Sequence, residues 1–295
     1  MAWFFKRLHR INNAWHARKL EDILIQEKPD VLVGTHFMPM EVASHLKHKG
    51  LLSARLITVI TDYMPHTLWI SPGIDDYVVG STDCQEELIR RGVPPKHLHL
   101  LGIPVDPVFS EHADRKIVAS TLGLASEKFN ILIVSGGFGT GPIARLVRTL
   151  ATVTQPLQLM VVTGRNHSLF ESLETIGSRS PHPMKVYGFA NNMHELMTAA
   201  DLMITKPGGL SCAEGLIKGV PLVLVDPIPG QESRNARILE KMNAAICAQK
   251  VSVIPGIIGD LLKSLEKRQR MIASGLANSF PEAAMDVGRL ALGKP

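Results

Sequence analysis

The sequence predicts an α/β protein built on parallel sheets, and three observations predict it. Short β-branched runs alternate with helical stretches along the whole chain, the pattern of strands joined by crossover helices. Of the 295 residues, 45% are hydrophobic and 20% charged, enough apolar chain for two cores of ordinary size. Several runs end in glycine or polar turns just where a helix begins, as the strand ends of a doubly wound sheet do.

A basic helix opens the chain. Strands are then expected at Val31–Gly34, Leu56–Ile60, Asp76–Val79 and Leu98–Leu101, with a helix over Thr82–Gly92 that Gly92 closes ahead of Val93-Pro94-Pro95. Gly102–Ala119, which carries Pro104 and Pro107, reads as a linker. Six further strands are expected at Ile131–Ser135, Leu157–Thr163, Met184–Tyr187, Leu202–Thr205, Leu222–Val225 and Ala244–Cys247, and Val253–Ala277 reads as a closing helical segment. The expected domains are 1–107 and 108–295. The second is a complete doubly wound unit. The first has about four strands and opens on a helix, so a strand–loop–helix–strand portion is expected to be lacking from its front.

Composition narrows the function. Mean hydropathy is +0.11, yet no apolar run approaches the ~18–20 residues of a membrane-spanning helix. Net charge is +5, and it is local: Lys6, Arg7, Arg10, Arg18 and Lys19 stand in a first segment without acids, while the remaining chain holds 27 basic and 27 acidic side chains. A general nucleic-acid surface is therefore not expected. Cys84, Cys212 and Cys247 form no CxxC and point to a reducing compartment. There is no D-x-D and no His at ligand spacing, so no metal site is expected.

The chemistry-bearing residues gather at strand ends. After Ile131–Val134 comes Ser135-Gly136-Gly137-Phe138-Gly139-Thr140-Gly141-Pro142 and then a helix. Its glycines suit either a tight turn or close passage of a phosphate past a helix N-terminus, and its spacing is not that of a P-loop. The stronger stretch is Thr205-Lys206-Pro207-Gly208-Gly209-Leu210-Ser211-Cys212-Ala213-Glu214. Free N–H groups, a helix dipole and the Lys206 cation together suit a diphosphate. Ser211 and Glu214 also read as a capping box, which leaves Lys206 and the paired glycines unexplained. Gly230, Gln231, Glu232 and Asn235 open the next helix and offer donors and acceptors to sugar hydroxyls. Gly164-Arg165-Asn166 and Gly188-Phe189 end two other strands. In the first half, Asp62 and His66 follow the strand Leu56–Ile60 and suit acid–base work or phosphate holding, with helix capping and partial burial as the plainer readings.

The runs KPDVLVGTH, TDYMPHTLW, SGGFGTG, GRN, YGF and ITKPGGLSCAEGLIKGVPLVLVDPIPGQESRNA resemble the monogalactosyldiacylglycerol synthase and processive diacylglycerol glucosyltransferase family, relatives of the glycosyltransferase that forms lipid II. The resemblance covers about residues 18–250. It implies a GT-B fold, two Rossmann-like domains facing a cleft, and an inverting transfer of a hexose from UDP-glucose or UDP-galactose to a diacylglycerol-type lipid, with no cofactor. Carried over, the backbone near Phe189 meets uracil and Glu214 the ribose. Lys206, Gly208, Gly209, Leu210 and Ser211 hold the diphosphate with Gly136, Gly137, Gly139 and Thr140. Gln231, Glu232 and Asn235 read the sugar, and Arg165 and Asn166 line the donor side.

The family's first strand ends in a glycine-rich loop with a His associated with the catalytic base. No such loop precedes Trp3, which leaves Asp62 and His66 as the substitutes. Two other readings stay open: a catalytically inactive UDP-sugar-binding module or fragment, and a UDP-sugar epimerase on the same fold. Trp3, Phe4, Phe5, Lys6, Arg7, Arg10 and Trp15 suit a helix lying on an anionic membrane surface. The expected location is cytoplasmic, peripheral on the inner face of the membrane.

Overall fold

The computed structural model describes residues 14–125, 127–134, 136–137, 139 and 141–293, with side chains from residue 18 onward. The membrane-contact expectations at Trp3, Phe4, Phe5, Lys6, Arg7 and Arg10 lie outside the described residues, as does the side chain of Trp15, whose backbone belongs to the helix Ala14–Glu27. Among the described residues no helix is long and apolar enough to cross a membrane.

All ten expected strands are present. In the first compact unit β1 (Val31–Gly34), β2 (Arg55–Val59), β3 (Asp76–Val79) and β4 (Leu98–Leu100) pair in sequence order, all parallel. In the second, β5 (Phe129–Val134), β6 (Leu157–Val162), β7 (Met184–Tyr187), β8 (Leu202–Thr205), β9 (Leu222–Val225) and β10 (Ala245–Ala248) form a parallel sheet in the order β10-β9-β8-β5-β6-β7. These strands read clearly because parallel strands are covered on both faces and become unbroken apolar runs. Ile131, Ile133, Leu157 and Leu159 are wholly buried under Ile143, Leu146, Val147 and Leu150 of the helix Ile143–Leu150. Each such Ile or Leu contributes about 2 kcal/mol of burial.

The domain limits differ from expectation. The first unit runs to Ile103 without Asp62–Met64 and regains the chain from Met285, and the second holds Asp62–Met64 and Pro104–Ala284. The reason is the final helix, Ala283–Ala291, which the sequence reading missed: Val287 packs with Ile57, Val59 and Val78. Arg55 fastens it, donating from Nη1 to the Leu290 carbonyl at 2.9 Å and from Nε and Nη2 to Asp76 at 2.9 and 2.6 Å. His99 Nε2 lies 2.7 Å from the other Asp76 oxygen.

Two further expectations give way. Gly102–Ala119 is not a plain linker: it contains a 3₁₀ turn at Pro107–Ser110 capped by Asp106, and from Arg115 the helix Arg115–Thr121, capped by Asp114. Val253–Ala277 is broken at Ser264 into Ile254–Lys263 and Leu265–Ala277, with the Ser264 hydroxyl accepting from the Lys267 N–H at 3.2 Å. The helix after β3 ends at Arg90, and Gly92 carries the left-handed φ of 91° expected of a closing glycine.

Candidate functional site

Numbered by their order in the second unit, its six strands run 3-2-1-4-5-6. The strand order reverses between β5 and β8, so the connections leaving these two strands diverge and open a crevice at their C-terminal ends. Three strand ends meet there at Lys206. A Cβ on Gly141, in the loop after β5, would stand 3.0 Å from Lys206 Cε. Lys206 itself follows β8, and its Nζ lies 3.7 Å from Oδ2 of Asp226, the residue after β9. Asp226 holds a φ of 48°, a conformation uncommon outside glycine.

The helices starting at this edge are open at their N-termini. Those after β5, β8 and β9 have Pro142, Gly208 and Gly230 at the N-cap, and none has a side-chain capping bond. The helices after β3 and β6, by contrast, are closed by Ser81 and Asn166. An uncapped first turn directs unsatisfied N–H groups and a positive dipole outward, which suits an anion.

The expected capping box is not formed. Gly208 is the N-cap, so Ser211 and Glu214 lie inside the helix Gly209–Ile217 and their side chains are released from that duty. Gly208 has an ordinary φ of −73° and nothing within 4 Å of a would-be Cβ. Neither strain nor internal packing requires glycine there, and the backbone at this position is left open. Glu214 is largely buried, and burial alone pushes its carboxyl up to about 7. Cys212 is buried, and burial pushes its thiol upward, which disfavours the thiolate.

The loop after β5 is braced by the one after β6. Gly164 sits so close that a Cβ would meet the Gly137 carbonyl oxygen at 2.6 Å, and the Arg165 N–H donates to that oxygen at 3.1 Å. Asn166 donates from Nδ2 to the Gly139 carbonyl at 2.9 Å while its Oδ1 accepts from the Leu169 N–H at 3.0 Å. It therefore braces the loop from behind rather than lining the donor side as expected, because both ends of its amide are used within the loops. The Arg165 guanidinium lies over the Phe189 ring at 5.4 Å, and Phe189 is 61% exposed. Gly136 and Gly137 are exposed, and Thr140 lies outside the described residues.

The sugar-reading trio divides. Gln231 is exposed. Glu232 turns back and accepts from the Ile228 N–H at 2.8 Å. Asn235 is 1% exposed and engaged at both ends, accepting from the Tyr63 N–H at 2.9 Å and donating to Asp62 at 3.0 Å and to the Pro207 carbonyl at 3.2 Å. It does not face a sugar. Asp62, expected as an acid–base residue, is 2% exposed and accepts from the amides of Asn235 and Gln231. His66 accepts at Nδ1 from the Leu68 N–H at 3.3 Å and packs edge-on to Phe37 at 5.0 Å between ring centroids. That bond leaves any proton of a neutral ring on Nε2. Tyr63 and Pro207 were missed, since their backbone groups meet Asn235 across 172 and 28 residues of chain and leave no local signal. Among the described residues no group of three or more His, Cys, Asp or Glu is placed to hold a metal ion.

Open helix termini, a lysine and a buried acid around a doubly wound switch point define a nucleotide-binding α/β domain. Comparison with known proteins narrows the class. The sequence profile described as monogalactosyldiacylglycerol (MGDG) synthase matches residues 4–105, and that of the glycosyltransferase family 28 C-terminal domain matches residues 130–287. A processive diacylglycerol β-glucosyltransferase of Bacillus cereus is 31% identical over 267 residues, spanning 88% of this chain and 68% of the relative. The structure of MurG from Acinetobacter baumannii matches with a TM-score of 0.68 at 20% identity, covering 94% of this chain and 77% of that one. Anabaena HepE, solved in complex with UDP-glucose, matches with a TM-score of 0.63 at 14% identity, covering 94% and 82%. The fold is GT-B, and the chain belongs to the glycosyltransferase family of the MGDG synthases and processive diacylglycerol glucosyltransferases. It is an enzyme of the glycolipid-forming type.

Proposed function

We propose that this enzyme moves a hexose from UDP-glucose or UDP-galactose to a diacylglycerol-type lipid, with inversion at the anomeric carbon and no metal or other cofactor. The carrying observation is the meeting of the β5, β8 and β9 ends at Lys206 beside uncapped helix starts. UDP leaves as a dianionic-to-trianionic group, and the Lys206 ammonium with the first N–H groups of the helix Gly209–Ile217 stabilises the charge that develops on it. Gly208 lets the diphosphate lie against that turn. Glu214 accepts from the ribose hydroxyls, Arg165 and Phe189 border the base, and Gln231 meets the hexose. The unit matched by the MGDG synthase profile receives the lipid, and the basic aromatic segment Trp3–Trp15 docks on an anionic membrane at its cytoplasmic face.

The test is a transfer assay with diacylglycerol vesicles and each UDP-sugar. UDP release that depends on diacylglycerol, with a β-linked product from an α-linked donor, supports the reading. UDP-sugar binding without lipid-dependent release contradicts it. Vesicle flotation with and without anionic lipid tests the docking, which salt-insensitive or absent binding would sink.

A further inference from the structure

Asp62, Tyr63 and Met64 follow β2 in the chain but fold with the second unit. Tyr63 is 2% exposed. Its backbone N–H is held by Asn235 Oδ1 at 2.9 Å. Asn235 Nδ2 is shared between Asp62 Oδ1 at 3.0 Å and the Pro207 carbonyl at 3.2 Å, and Asp62 Oδ2 accepts from Gln231 Nε2. One line of hydrogen bonds thus runs from the diphosphate turn at Pro207 through Asn235 and Asp62 to Gln231, the exposed first residue of the helix Gln231–Lys241.

The chemistry of this line fixes its direction. Gln231 donates from Nε2 to Asp62 Oδ2, so its NH2 is turned toward Asp62 and its carbonyl oxygen is carried on the opposite side. We propose that Asp62 is a positioning residue: it sets the Gln231 amide so that its carbonyl oxygen faces the donor hexose and accepts from a sugar hydroxyl, and so contributes to which hexose is taken. This rests on the donor site described under the proposed function. It replaces the acid–base role that the sequence suggested for Asp62. A buried polar line of this kind is rigid only while each member keeps its partner, so its disturbance is felt at the exposed end.

The test is a reversal of polarity read by calorimetry with UDP and with UDP-glucose and UDP-galactose. Asp62→Asn keeps an acceptor for Asn235 but turns an NH2 toward Gln231, whose amide must flip and offer a donor where an acceptor stood. The expected result is a loss of about tenfold in affinity for the preferred UDP-sugar, the size of one neutral hydrogen bond, with UDP itself changed less than about twofold. Adding Gln231→Glu restores an acceptor on both sides of residue 231, and the double variant is expected to recover the UDP-sugar affinity that either single change loses. Equal losses for UDP and UDP-sugar with a lowered melting temperature would make Asp62 merely structural and overturn the inference. Unchanged UDP-sugar binding in Asp62→Asn overturns it while leaving the donor site standing. A wild-type chain that binds neither UDP nor UDP-sugar removes both.

Discussion

Asp76 in the first unit and Glu214 in the second are both carboxylates withdrawn from water, and they titrate in opposite directions. Burial raises Asp76, but the hydrogen bonds from His99 and Arg55 outweigh it and hold the group below the ordinary aspartate range. Glu214 has burial alone, and its carboxyl rises to about 7. The first network is closed: Arg55 also reaches Leu290, so the acid fastens the returning C-terminal helix to the sheet. The second is open: the helix that carries Glu214 starts without a side-chain cap, and Lys206 stands beside that start with, among the described residues, only Asp226 at 3.7 Å. Satisfied polar groups mark what holds the fold, and unsatisfied ones mark where a ligand completes it.

The comparison breaks at several places, beginning with the largest effect. Asp76→Ala strands Arg55 and His99 and loosens the last helix, so a loss of about 3 kcal/mol of stability is expected by urea denaturation at pH 7. Because the folded Asp76 is lowered, its stabilisation is present above the unfolded carboxyl range and fades as pH falls through the folded value. The wild type should therefore lose its advantage over the variant in acid. Lys206→Ala leaves the fold in place and removes the cation at the diphosphate. UDP affinity should fall by about thirtyfold, the range of a charge-assisted hydrogen bond, with an unchanged melting temperature. Gly208→Ala sharpens the contrast further. Its Cβ meets no protein atom, so stability holds or rises by about 0.5 kcal/mol while UDP affinity falls about tenfold. A drop in melting temperature with intact UDP binding would show that this glycine serves the turn alone.

A further effect on stability belongs to Glu214→Gln. A folded value near 7 against about 4.5 unfolded means that the wild type gives up stability as pH rises from 4.5 to 7. The glutamine variant avoids that loss and should be about 1–2 kcal/mol more stable at pH 8 but equal at pH 4.5, after allowance for partial exposure.

Much of this contrast was legible in the sequence. Buried parallel strands leave β-branched runs that need no partner to be read, so β1, β3, β7, β8 and β9 appear at their expected limits. Lys206 and the paired glycines stood out because local spacing alone places them at a strand end. What was not legible is non-local. S-x-x-E reads as a cap at Ser211, but Gly208 and Gly209 start the helix three residues earlier. Nothing near Asn235 announces Asp62, which meets it across 173 residues of chain. The helix Ala283–Ala291 does carry an amphipathic pattern, which the sequence reading passed over, but that its Val287 face packs on the first sheet is again non-local.

The central claim is that the β5–β8 edge of the second unit binds the UDP part of a sugar nucleotide through Lys206, the open helix start and Glu214. Calorimetric titration of UDP into the full chain and into Glu214→Gln across pH 6–8 tests it most directly. The account predicts that the wild type binds UDP, more tightly as Glu214 ionises near pH 7, and that the variant binds about tenfold more weakly at pH 8, its rise reduced to what the terminal phosphate of UDP contributes. Absence of UDP binding, or binding that is the same in both proteins at every pH, would contradict it.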